Sequence, residues 1–166
     1  EHPDCVILGV QPGATPSPLP PVRIFLGTEE GQYRAERVFV WSFDADRGAG
    51  RVSTADGFLH QARAALALLD DVPRAWWDEG ALIAKELQTE QTLLVLDGVD
   101  ALLETNEQGE ALIRDQALLF LLRKWLAGDR GLCVITSRRP LADLAAWQGK
   151  GLATIEVGPF SPTEGA

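Results

Sequence analysis

Two stretches, "TLLVLDG" (92–98) and "GLCVITS" (131–137), are apolar at successive positions rather than at alternate ones. A half-buried strand alternates apolar and polar residues, because neighbouring side chains point to opposite faces. A strand-length run with no alternation must be covered on both faces, which is the situation of an inner strand in a parallel sheet. Both stretches are therefore expected to be central and adjacent. The segments around them change period to the helical one. "STADGFLHQARAALALL" opens with a capping-box pattern, Ser53 to Asp56, and "DDVP" at 70–73 places carboxylates and a proline where a helix running to Leu87 would begin. "ALIRDQALLFLLRKWLAG" (111–128) reads as a third helix stopped at Gly128, and "PLADLAAW" (140–147) as a short one begun by Pro140. "CVILGV" (5–10), "VRIFLG" (22–27), "ERVFVWSF" (36–43) and "LATIEVG" (152–158) complete the strands.

Strands alternating with helices predict an α/β fold, a mostly parallel sheet with helices on both faces, in a single domain. At 166 residues the chain is long enough for one well-buried core. Residues 1–21 form a strand followed by the proline-rich "QPGATPSPLPP", and residues 22–166 the α/β body. A net charge of -9 argues against nucleic acid as a partner, since a polyanion requires a basic footprint. No apolar run approaches a membrane span, and no basic, apolar leader opens the chain, so a cytoplasmic location is expected. Cys5 and Cys133 lie in apolar strands and read as reduced, buried thiols. With no methionine anywhere, Glu1 is not a translation start, and the chain is expected to be part of a longer one.

Ligands of open α/β sheets bind beyond the carboxyl ends of the strands. Asp97, Asp100, Ser137, Arg138 and Arg139 all fall there. A strand-terminal carboxylate such as Asp97 suits Mg²⁺ that also bridges nucleotide phosphates, and a second one at Asp100 suits orienting or deprotonating a water. Ser137 has no histidine placed to activate it. His2 and His60 are too far apart in sequence to suggest metal-ligand spacing, and His60 reads as a surface residue of a helix.

The span "WWDEGALIAKELQTEQTLLVLDGVDALL" resembles the Walker B region of STAND-type P-loop NTPases, the NACHT and NB-ARC relatives. "DQALLFLLRKWLAGDRGLCVITSRRPLADL" resembles their helix, strand and sensor segment, and "IEVGPFSPTEGA" the passage into a following helical domain. The likeness covers residues 36–166 and implies a P-loop-NTPase-like but incomplete fold in a signalling or defence protein. By position it implies Asp97 as the Mg²⁺ aspartate, Asp100 as the downstream acidic residue, and Arg138 or Arg139 as the arginine facing the γ-phosphate. Ala101 departs from the second acidic residue often found in NACHT proteins.

A Walker A loop requires G-x-x-x-x-G-K-[ST]. The lysines of this chain are Lys85, Lys124 and Lys150, and none stands in such a loop. "GVQPGATPS" (9–17) is one residue short and has Ala14 in the lysine position, and prolines at 16, 18, 20 and 21 forbid the helix that should follow. Mg-ATP is thus expected to bind weakly if at all, without hydrolysis by this chain alone. A non-enzymatic, acidic interaction module of the inhibitor or antitoxin kind is the alternative, working through a protein partner or self-association. Residues 21–42 also resemble the start of a bacterial glycosyltransferase-like protein, in which Asp44-Ala45-Asp46 would be a D-x-D metal site. Finally, the apolar third helix predicts that leucine or tryptophan side chains stay uncovered, or pair two copies.

Overall fold

The computed structural model describes residues 5–10, 35–43, 54–68 and 75–157, with the backbone alone for 5–10. Five strands, β1 (Cys5–Val10), β2 (Arg37–Ser42), β3 (Thr92–Asp97), β6 (Leu132–Ser137) and β7 (Leu152–Val157), form one sheet in the order β2-β3-β6-β1-β7. Every pairing in it is parallel. The α/β class and the central, adjacent placing of β3 and β6 agree with the sequence reading. A second, two-stranded sheet pairs β4 (Leu103–Thr105) with β5 (Ala111–Ile113) antiparallel. Three helices, α1 (Asp56–Ala65), α2 (Trp76–Leu87) and α3 (Gln116–Leu126), and two short 3₁₀ segments, Val99–Leu102 and Ala142–Trp147, complete the described elements.

Alternation along the strands decides which residues meet the helices. Leu94 and Leu96 of β3 stand in register with Cys133 and Ile135 of β6, and with Phe39 and Trp41 of β2. On this face α1, α2, α3 and the second 3₁₀ segment close a continuous core through Phe58, Ile83, Leu87, Leu118, Leu121, Trp125 and Leu144. Phe58 stands edge-on to Phe39, Trp41 and Phe43 at centroid distances of 5.8, 6.2 and 6.1 Å. Such T-shaped contacts are worth more than their area alone. Helices were expected on both faces; the described ones gather on one. The steps β2 to β3, β3 to β6 and β6 to β7 all move the same way across the sheet, and right-handed crossovers in one direction pile onto one face. Only the step from β1 to β2 moves back, and nearly all of that connection lies outside the described residues.

α2 and α3 make the closest helix pair, and Gly80 is the reason. A Cβ there would lie 2.5 Å from the Ala117 carbonyl oxygen and 3.0 Å from the Leu121 nitrogen, so only glycine admits this approach. Gln88 closes the far end, its Nε2 donating to the carbonyls of Trp125 (3.0 Å) and Arg130 (2.9 Å).

Further sequence expectations need correction. The third helix does not begin at Ala111: Ala111–Ile113 is β5, returning from a tight turn. Asn106 Oδ1 accepts from the Gln108 and Glu110 nitrogens at 3.0 and 2.8 Å, and Gly109 takes φ +82°. The helix starts after Asp115, whose side chain caps it by accepting from Leu118 N at 2.9 Å. Nor does α3 leave leucines bare. Leu118, Leu119, Leu121, Leu122, Trp125 and Leu126 are all buried, because the sheet, α2, the hairpin and the second 3₁₀ segment surround it. Its solvent face is confined to Gln116, Arg123, Lys124 and the half-buried Phe120. α1 begins at Asp56 with no side-chain cap, later than the capping-box pattern placed it. α2 likewise begins late, at Trp76 after an extended Ala75 rather than at 70–73. The predicted strand at 22–27 and the proline-rich loop beyond Val10 lie outside the described residues. No helix among the described residues is long and apolar enough to cross a membrane.

Candidate functional site

The carboxyl edge of the sheet gathers polar side chains from three neighbouring strands. Ser42 pairs in register with Asp97, and Thr136 follows directly after Ile135, the partner of Leu96. Ser42, Asp97 and Thr136 thus form a row on the face opposite the helical core, at the last turn of each strand. Ser42 Oγ donates to Asp97 Oδ2 at 3.0 Å, and Thr136 Oγ1 donates to Oδ1 at 2.6 Å. The Gly98 nitrogen in turn donates to Thr136 Oγ1 at 2.8 Å. The carboxylate is braced from both flanking strands by charge-assisted hydrogen bonds, and each of its oxygens keeps accepting capacity for another ligand.

The next turn holds the second carboxylate differently. Asp100 lies in the 3₁₀ segment after β3, its side chain only 8% exposed. It accepts from Arg138 Nε at 2.9 Å and also from Nη2. The guanidinium itself is half exposed and reaches in from the end of β6. The carboxylate proposed to act on a water is therefore occupied by an arginine. Arg139 points elsewhere. Its guanidinium donates to Thr105 Oγ1 at 2.9 Å and to the Gly109 carbonyl at 3.3 Å, so it holds the β4–β5 hairpin. Ser137 Oγ donates to the Arg139 carbonyl at 2.8 Å and accepts from its nitrogen at 3.2 Å, a local turn that sets the two arginines apart.

Of the residues singled out from sequence, the fold thus joins Asp97 to Ser42 and Thr136, and Asp100 to Arg138; Arg139 serves the hairpin. Ser42 and Thr136 carried no motif. The only signal that could have found them was their place as hydroxyl residues at the ends of strands flanking the one that ends in Asp97. Among the described residues no group of three His, Cys, Asp or Glu side chains could hold a metal ion. Asp97 with its hydroxyl row fits a Mg²⁺ ion whose other ligands are waters and phosphates, the usual manner for that ion, and does not fit a self-sufficient protein cage. His60 is exposed on α1, and Asp44 and Asp46 lie outside the described residues. Cys133 is a buried free thiol whose backbone pairs in register with Cys5.

Scans of the chain against protein-family models, curated proteins and solved structures return no match.

Proposed function

We propose that this chain is a STAND-type, NACHT/NB-ARC-like nucleotide-binding domain in which the Mg²⁺-holding strand end is kept and the phosphate-holding loop is not, and which acts in signalling or defence through protein contacts rather than ATP turnover. The observation that carries the reading is Asp97, braced by Ser42 and Thr136 at the carboxyl edge of β3. The chain leaves β1 towards β2 in one direction and leaves β6 towards β7 in the other, so the strand order reverses between β1 and β6, one strand from the carboxylate and at the strand that carries Thr136. Ligand sites of open α/β sheets form at such a reversal. Bound there, Mg²⁺ would neutralise nucleotide phosphates and draw them to the strand ends.

Two features argue for binding without hydrolysis. No lysine or glycine-rich loop of the Walker A type is encoded in the chain, which removes the amide cradle and a full positive charge from the phosphates. The Asp100–Arg138 pair, meanwhile, occupies the carboxylate a water would need and the cation a γ-phosphate would need. Arg138 can turn to an incoming phosphate only by leaving Asp100. Mg-ATP should therefore bind in the millimolar range, about 4 kcal/mol by the affinity relation, and its hydrolysis should not exceed a buffer blank. Isothermal titration with Mg-ATP, beside an Asp97→Ala variant, tests this. Heat that the substitution does not alter would remove Asp97 from the site, and micromolar affinity that it abolishes would restore an active ATPase.

The second reading, an interaction module that takes no nucleotide, is favoured by one observation away from the sheet edge. Trp76 and Trp77 stand 44% and 46% exposed at the start of α2.

A further inference from the structure

The outer valley between α2 and α3 combines features that the nucleotide reading does not use. One wall is the helical stripe Trp77, Ala81, Lys85, at i, i+4 and i+8; the other is Phe120 and Lys124. At its head Trp76 packs edge-on between Trp77 (5.0 Å) and Phe120 (5.8 Å). Lys124 Nζ lies 5.4 Å from the centre of the Phe120 ring. Farther down, a depression of about 370 Å³ is lined by Ala81, Ala84, Lys85, Gln88, Thr89 and Lys124.

Charge is the second feature of this valley. The chain carries 24 carboxylates against 15 lysines and arginines. Arg37, Arg63, Arg123 and Arg138 each meet a carboxylate. Lys85 and Lys124, exposed on the two walls of one depression with no carboxylate lining it, form no ion pair among the described residues. An acidic protein therefore presents two exposed ammonium groups below exposed tryptophans, on a helix pair about 18 Å long.

We infer that this valley docks a short acidic peptide segment of a partner protein, with an aromatic or leucine side chain seated against Trp76 and Trp77 and carboxylates directed to Lys85 and Lys124. Tryptophan is the residue type that most often dominates binding energy at such surfaces. Carboxylates meeting Lys85 and Lys124 fix the register of the segment, and the chain's net charge of -9 weighs against its binding at acidic surface. A nucleic acid or an anionic membrane is disfavoured, because two lysines give a small basic footprint while the net charge repels an extended polyanion. The inference does not rest on the nucleotide reading, since the valley is built on α2 and α3 and the carboxylates stand at and after the end of β3.

The experiment is selection of peptides from a random linear library on the full chain, followed by titration of the enriched sequences. Enriched peptides should be acidic with an aromatic or leucine anchor, quench tryptophan fluorescence, and weaken as salt rises. Their affinity should fall about tenfold or more, roughly 1.4 kcal/mol or more, in Lys85→Glu/Lys124→Glu. It should fall in the same direction in Lys85→Gln/Lys124→Gln, whose melting temperature serves as the check on folding, and stay unchanged in Asp97→Ala. Enrichment of no peptide, of peptides without carboxylates, or of peptides indifferent to both lysine variants overturns the inference. So does binding of a DNA duplex or of phosphatidylserine vesicles that the lysine variants abolish, or a self-association that they abolish.

Discussion

On the face of the sheet that carries Leu94, Leu96, Cys133 and Ile135, helices close one continuous core from Phe43 to Leu152. On the opposite face Leu93 and Val134 are buried at the centre and stay outside that cluster, while Val38, Val40, Ile155 and Val157 are exposed at the edges. The residue types hardly differ between the faces. What differs is the direction of the crossovers, since all the described ones bring their helices to one side. The chain places Asp97 with Ser42 and Thr136 on the less enclosed face, at its carboxyl edge. A carboxylate there keeps access to water and to ligands, whereas among the leucines of the helical face it would bear the full cost of desolvation.

Substitutions that discriminate the two faces test that contrast. The largest effect is expected at Trp125, fully buried among the helices. Trp125→Ala should cost about 3–5 kcal/mol, a large part of the stability of such a domain, read from urea unfolding. A loss below about 1 kcal/mol would mean that the helical layer is not the main core. Next is Gly80→Ala, which forces a methyl group against the Ala117 carbonyl. About 1–3 kcal/mol should be lost as α2 and α3 separate, and amide exchange should rise in both helices together.

On the opposite face Thr136→Val keeps shape and deletes a hydroxyl that serves both Asp97 and the Gly98 nitrogen. About 1–2 kcal/mol should follow from the unpaired groups, and any Mg-ATP heat should shrink with it. Stability lost with the heat unchanged would separate the row's structural part from ligand binding. The smallest effect is expected at the sheet edge: Val40→Thr should shift stability by no more than about 0.5 kcal/mol. A cost several times larger would reveal that this edge is covered in solution, and would erase the contrast between the faces.

Much of the fold was legible because it is written in local periodicity. The unbroken apolar runs of β3 and β6 required burial on both sides, and the helices between the strands were found in order, with starts two to five residues late. The hairpin was misread although its signals were present: Asn106 and Gly109 bound a tight turn, and Asp115 is an N-cap three residues before Leu118. Apolar periodicity through Ala111–Ile113 outweighed them, since three residues cannot distinguish a strand from a helix's first turn. Likewise the leucines of α3 stated that most of its sides must be covered, and only packing could say by what.

The sequence by itself determined an α/β chain with a parallel sheet, an aspartate at the end of its central strand, and no lysine-bearing phosphate loop. It put Asp97, Asp100 and two arginines at one edge because strand ends can be read from hydrophobicity. Tertiary structure decided their partners. Strand register set Ser42 and Thr136 on either side of Asp97, the turn at Ser137 sent Arg138 to Asp100 and Arg139 to the hairpin, and the approach of α2 to α3 raised a valley with two exposed lysines on its walls. Register, helix approach and the arginines' partners depend on contacts between residues tens of positions apart, and no local pattern carries them.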